Sequence, residues 1–253
     1  MACGKPLVTG PSLPKSQRVV VTGMGALTAL GHTVEENWTA LLEGRSGIGP
    51  MTRVPNADHY PCNFGGQVRG FDPKNYMDRK EARRLTESSQ FAVATALMAF
   101  KDANLDSSNF DLARSGVVMG TAIGGGIVET ERALRRLLKG QRLSPIAFNG
   151  VWPNMAAFAV ARTLQFNGYN ATIVTACASA TQAIGEAAAV IKRGDADVML
   201  AGGTESCNAE IIIAGYTATG VLSSRCDEPQ RASRPFDLLF LRLWFCPDAV
   251  PRA

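Results

Sequence analysis

Short apolar, β-branched runs alternate along this chain with helix-like stretches, and each handover is marked by glycine or alanine. Val117-Val-Met-Gly120 leads into Gly124-Gly-Gly126 and a basic helix that runs through Lys139. Ala171 to Ala176 reads as a strand that passes directly into an alanine-rich helix, Ala178 to Arg193. Val198-Met-Leu-Ala201 is a further strand, and Arg18-Val-Val-Val-Thr-Gly23 an early one ending in a glycine turn. Runs of this kind suit strands covered on both faces. Their alternation with helices predicts a layered α/β fold with a mostly parallel mixed sheet.

Around this framework, residues 1–17 form a Pro- and Ser-containing leader and residues 18–237 the folded body. Thr33 to Leu42 predicts a short amphipathic helix, with Thr33 as its cap and Glu36 at the third position. Residues 45–75, rich in Gly, Pro, Asn and Asp, read as a long irregular excursion. Arg79 to Ala103 and Asn154 to Leu164 read as helices. From Leu238 the pattern breaks, being neither helical nor cleanly alternating, so residues 238–253 form a divergent tail.

Composition excludes several functions. A net charge of +4 with no basic stripe interleaved with aromatics does not fit a nucleic-acid binder. It leaves room for an acidic protein partner. The six cysteines contain no C-x-x-C pair and only His32 and His59 accompany them, so neither a metal site nor a disulfide framework is expected. A reducing compartment fits such thiols. No apolar run reaches the length of a membrane span. The leader has Lys5 and Lys15 but no acid and no Arg, which leaves a transit peptide open beside a bacterial cytoplasmic location. Gly23-Met-Gly25 after a strand raises a dinucleotide fingerprint, but Thr28 stands at the third glycine position and Glu43 falls in a helix. No cofactor is expected.

Cys177 carries the strongest chemical signal. It sits where Thr172-Ile-Val174 hands over to the alanine-rich helix. There it meets the positive end of the helix dipole and unpaired N–H groups that favour a thiolate and can receive an oxyanion. Ala176, Ala178 and Ser179 are small enough to admit a thioester. The competing reading is a buried cysteine acting as a small hydrophobe. Cys207, after Gly202-Gly203, has a weaker case, while Cys62 and Cys226 lie in loop-like sequence.

Thr175-Ala-Cys-Ala-Ser179, followed by Gly194-Asp-Ala-Asp-Val-Met-Leu-Ala-Gly-Gly-Thr-Glu-Ser206, resembles the nucleophile region of elongating β-ketoacyl-acyl-carrier-protein synthases. Collinear segments agree: Arg18 to Gly25, Gly44 to Ile48, Asp78 to Arg84, Gly120 to Gly125, Pro153 to Met155, Ala214 to Tyr216 and Ser233 to Asp237. The resemblance covers residues 18–237 and implies the N-terminal half of a thiolase-like fold. The family reaction is a decarboxylating Claisen condensation of an acyl-enzyme with malonyl-acyl-carrier protein, with no cofactor.

By matching position, the resemblance implies that Cys177 is the acyl-accepting nucleophile and that its N–H supplies part of the oxyanion hole. Ile123 and Tyr216 line the acyl pocket and its gate, with core packing as the competing role. Lys80, Arg83, Arg84 and Arg142 belong to a docking patch for acyl carrier protein, with a solvated face as the competing role. The complete enzyme is expected to form a homodimer through the strand at 171–176. The family's decarboxylating histidines and lysine lie in C-terminal motifs that this chain lacks, and neither His32 nor His59 matches them, so the chain alone is not expected to condense anything. The break near Trp244 reads as a shifted frame, with a natural truncated product as the alternative. A degradative thiolase would place its nucleophile nearer the N-terminus, and a chain-length subunit would lack it. A non-catalytic fragment or pseudogene product that binds carrier protein or acyl chains remains the reading from another class.

Overall fold

The computed structural model describes residues 18–143 and 147–234. The leader 1–17, the tail 238–253, Cys3, Cys246 and the Pro235–Asp237 end of the last family-like motif lie outside the described residues. In chain order the elements are α1 (Val34–Leu42), the strands β1 (Ile48–Pro50) and β2 (Phe64–Gly66), α2 (Arg79–Ala82) and α3 (Glu87–Asp102). Then come β3 (Ser115–Gly120), α4 (Gly126–Leu138), α5 (Met155–Leu164), β4 (Asn170–Ile173), α6 (Ser179–Arg193), β5 (Val198–Gly203) and α7 (Glu210–Ala218).

The centre is a parallel sheet of order β4-β3-β5. β3 is buried at every position, as a strand needs to be when helices cover both faces. Its side chains alternate. Val118 points to α6, where Ala183 and Ala187 pack on it. Val117 and Met119 point to the other face, into the cluster of Ala92, Val93 and Ala96 from α3 with Ala156, Ala157 and Val160 from α5. Small side chains at these helix positions let the layers approach closely. The register pairs Gly120 with both Ile173 and Gly203, so all three strands end together at the edge where the Cys177 turn begins.

Four expectations need correction. The run at 18–22 is not a strand: Val20 and Val21 are 71% and 78% exposed, and among the described residues no ladder includes them. The segment that follows is held against α3 instead. A Cβ at Gly23 would lie 2.7 Å from the Ala103 Cβ, and the Met24 N–H donates to Asp102 at 2.8 Å. The single helix expected at 79–103 is two, because Thr86 adopts an extended backbone and its hydroxyl accepts the Ser89 N–H at 3.2 Å as a new N-cap. Gln90 then closes the end of α2 by donating to the Ala82 carbonyl at 2.8 Å. The excursion at 45–75 contains a short antiparallel pair, Ile48 opposite Gly66. Finally, the strand expected at 171–176 stops at Ile173.

Candidate functional site

The segment between β4 and α6 makes a sharp turn. Thr175 lies at φ −130°, ψ 38°, and Ala176 at φ +53°. A left-handed alanine costs about 1–2 kcal/mol, so the surroundings must hold it there. Cys177 follows in a single 3-10 turn, Ala176–Ala178, immediately ahead of α6, and it is exposed. It is therefore one short turn upstream of the α-helix, not within it.

Ser179 fixes this turn. Its buried hydroxyl accepts the Thr175 N–H at 2.8 Å and lies 2.9 Å from the Thr121 carbonyl and 2.7 Å from the Ala176 carbonyl. Its one proton serves those two acceptors in turn. Among the described residues no carbonyl accepts the Cys177 N–H, which leaves that donor available. The start of α6 sits flush on the sheet. A Cβ at Gly120 would lie 2.6 Å from the Ala180 nitrogen, and one at Gly203 2.5 Å from the Ala180 Cβ. At its other end α6 closes as expected, with Gly194 at φ +81° after Lys192 and Arg193.

A second loop, at 121–124, abuts this turn through the Thr121–Ser179 contact. It is organised by Glu205, which the sequence reading quoted within a motif but did not single out. One Glu205 oxygen accepts from the Thr121 hydroxyl at 2.9 Å, the Ala122 N–H at 2.9 Å and the Ile123 N–H at 2.8 Å. Ile123 is half-buried and packs on the cluster of Val128, Ala209 and Ile212. Tyr216 lies one turn beyond Ile212 on α7 and is 50% exposed. α7 is anchored to α4 by Glu210, which accepts from Arg135, from Asn56 at 2.9 Å and from Tyr60 at 3.1 Å. The Arg135 guanidinium first, then Asn56 and Tyr60, hold the Glu210 carboxyl below its ordinary range against the opposing effect of desolvation.

Lys80, Arg83, Arg84 and Arg142 are all exposed. Asp78 caps α2 through the N–H groups of Lys80 and Glu81, at 2.8 and 2.9 Å. Arg83 and Arg84 line an open groove of about 410 Å³ together with Thr86, Glu129, Arg132 and Arg136; Lys80 and Arg142 do not line it. Arg132 and Arg136 are missing from the site residues read from the sequence. Their i, i+4 spacing on the basic helix was the signal that places both on one face. Arg132 is paired with Glu129 at 2.7 Å.

The remaining candidates separate by environment. Cys207 lies at the surface, yet desolvation, with the Glu205 charge beside it, pushes its thiol up to about 11. Burial pushes the Cys62 thiol up. The His32 ring lies 2.8 Å from the Arg69 carbonyl, and His59 is exposed in a 3-10 turn. Among the described residues no cluster of His, Cys, Asp and Glu is placed to hold a metal. Nor is any helix among them long and apolar enough to cross a membrane.

Residues 16–242 match the family model described as Beta-ketoacyl synthase, N-terminal domain. A curated protein of Synechocystis sp., named 3-oxoacyl-(acyl-carrier-protein) synthase 2, is 42% identical over 224 residues, which is 88% of this chain and 54% of that protein. The chain spans about half the length of the curated relatives it matches. Among solved structures, a β-ketoacyl synthase from Burkholderia phymatum superposes with a TM-score of 0.73 at 30% identity, over 86% of this chain and 54% of that one. A type II PKS acyl-carrier protein in complex with its ketosynthase bound to the hexaketide gives 0.70 at 31% identity, over 83% and 51%. These likenesses place the fold in the thiolase-like, layered α/β class.

Proposed function

The chain belongs to the β-ketoacyl synthase family, and on that premise we propose that Cys177 takes an acyl group from an acyl-carrier-protein thioester. The Cys177 thiolate attacks the thioester carbonyl carbon. A new S–C bond forms as the carrier's S–C bond breaks, and the departing thiolate takes up the proton that left Cys177. The observation that carries this reading is the strained, exposed 3-10 turn that presents Cys177, with its own N–H free for the oxyanion, directly ahead of α6.

In the family reaction, malonyl-carrier protein then loses carbon dioxide and its carbanion attacks the acyl-Cys177 carbonyl, releasing the thiolate. No described residue of this chain is assigned to that decarboxylation, and His32 and His59 are occupied elsewhere or remote in the loop region. Ile123 and Tyr216 are proposed to line the acyl path. Lys80, Arg83, Arg84 and Arg142, joined by Arg136 across the groove, are proposed to dock the acidic carrier. The outer edge of β4, which no described strand pairs, is proposed to pair with its counterpart in a second copy of the complete enzyme. A reducing compartment, the bacterial cytoplasm first and a plastid second, suits the exposed thiol.

Incubation of the 253-residue chain with acyl-carrier-protein thioester, followed by intact-mass and peptide analysis, tests the proposal. The expected result is acyl transfer to Cys177 without release of carbon dioxide from malonyl-carrier protein. A chain that binds carrier but leaves Cys177 unmodified is a non-catalytic binder and overturns the reading.

A further inference from the structure

We propose that Glu205 is a positioning residue that holds the loop at 121–124 in register with the Cys177 turn and thereby sets which acyl lengths Cys177 accepts. The inference rests on the reading of Cys177 as acyl acceptor. Its basis is a carboxylate with four donors. Oε2 takes the Thr121 hydroxyl and the N–H groups of Ala122 and Ile123, and Oε1 takes the Ser206 N–H at 3.1 Å. Among the described residues it has no ion-pair partner, so its charge is balanced by these donors alone.

The bonds continue in both directions. The Thr121 hydroxyl accepts the Gly124 N–H at 2.7 Å, closing the loop on itself. The Thr121 carbonyl meets the buried Ser179 hydroxyl at 2.9 Å, and that hydroxyl accepts the Thr175 N–H. One continuous chain of hydrogen bonds thus joins β5's exit, the loop bearing Ile123 and the turn bearing Cys177. Gly124 sits at φ +66°, and a Cβ there would lie 2.6 Å from the Pro153 Cα, so the far end of the loop is packed independently of Glu205. Removing Glu205 therefore leaves the Ile123 end held, among the described residues, only by the Gly126 N–H and by packing on Val128, Ala209 and Ile212. On the reading that Ile123 lines the acyl path, a long acyl group touches this loosened end and a short one does not.

The test uses the 253-residue chain and its Glu205→Gln and Glu205→Ala variants. Rates of Cys177 acylation are measured with acetyl and decanoyl thioesters of N-acetylcysteamine, and alkylation with iodoacetamide serves as a length-independent control. In Glu205→Ala three loop donors lose a charged acceptor, and the decanoyl-to-acetyl rate ratio is expected to fall about tenfold, with iodoacetamide within about twofold. Glu205→Gln keeps one oxygen for the loop and is expected to restore most of the ratio. If Glu205→Ala does not unfold cooperatively, the Gln variant decides: a ratio lowered by about twofold supports the inference. An unchanged ratio in a folded Ala variant, or in Gln where Ala fails to fold, overturns it. No acylation of Cys177 in the parent chain overturns the acyl-acceptor reading beneath it and this inference together.

Discussion

Replacing Gly120 with alanine asks whether the close fit of α6 on the sheet is what places the thiol. The new Cβ would lie 2.6 Å from the Ala180 nitrogen and nearer still to the Ser179 carbonyl group. Ordinary heavy-atom contacts need about 3.5–4.0 Å, so the start of α6 has to retreat by about 1 Å. The atoms in the way are backbone, and no side-chain rotation relieves them. Overpacking of this kind costs about 1–3 kcal/mol, and backbone crowding puts Gly120→Ala toward the upper end. Because Cys177 is two residues ahead of the displaced turn, a shift near 1 Å is expected to slow its acylation by about 10²-fold. Gly185→Ala on the same helix is the control: nothing lies within 4 Å of its added Cβ. It is expected to gain about 0.5–1 kcal/mol from helix propensity and leave the rate alone. Urea midpoints by circular dichroism and acylation rates by intact mass report the two effects separately. A Gly120→Ala chain as stable and as fast as the parent would refute the argument.

Three further outcomes are expected. With its thiol pushed up to about 11, Cys207 is only about 0.1% thiolate at pH 8 and gains tenfold per pH unit, so iodoacetamide mapping should find Cys177 first; equal labelling at pH 8 contradicts this. The depressed Glu210 carboxyl ties α7 to α4 fully above the unfolded carboxylate value of about 4.3 and loses that hold as pH falls through its lower folded value. Hydrogen-exchange protection of α7 should drop over that acidic window, and Arg135→Ala should weaken the dependence, the bonds of Glu210 to Asn56 and Tyr60 and of Glu131 to the Ile211 N–H remaining. Reversing Arg83 and Arg84 to glutamate should lower acylation from carrier-borne thioesters by about tenfold or more while sparing N-acetylcysteamine thioesters, and an equal loss on both argues against docking at this patch.

The α/β layering was legible because β3, β4 and β5 fall in short, largely apolar runs flanked by strong helix signals, although only β3 is buried throughout. The same rule failed at Val19-Val-Val21, since β-branching reports fitness for a sheet and not the presence of a neighbouring strand. The break at Arg83–Leu85 hides in a sequence with good helix formers throughout; only the Thr86 cap betrays it. α7 was missed because Ile211-Ile-Ile213 is β-branched and Gly215 weakens a helix, whereas burial of Ile212 and Ile213 overrides both. The Cys177 junction could be read from the residues, and its chemistry from the family resemblance. The Arg132–Arg136 face was legible in its i, i+4 spacing, but the groove it shares with Arg83 and Arg84 was not, nor was Glu205, because these partners lie more than 40 residues away in sequence.

The strand order has a consequence for synthesis. β3 is the middle strand but the first of the three to leave the ribosome; Val117 is paired by Asn170 on one side and by Leu200 on the other. At about 5–20 residues per second, the second neighbour arrives about 4–17 s after β3 itself. During that interval an apolar strand, buried at all six positions in the finished sheet, has an open edge. Parallel pairing across two helical crossovers cannot be hastened by local contacts, because each loop must close before its pairing rewards it. Translation rate and chaperone access are therefore expected to affect how much of the chain reaches this sheet.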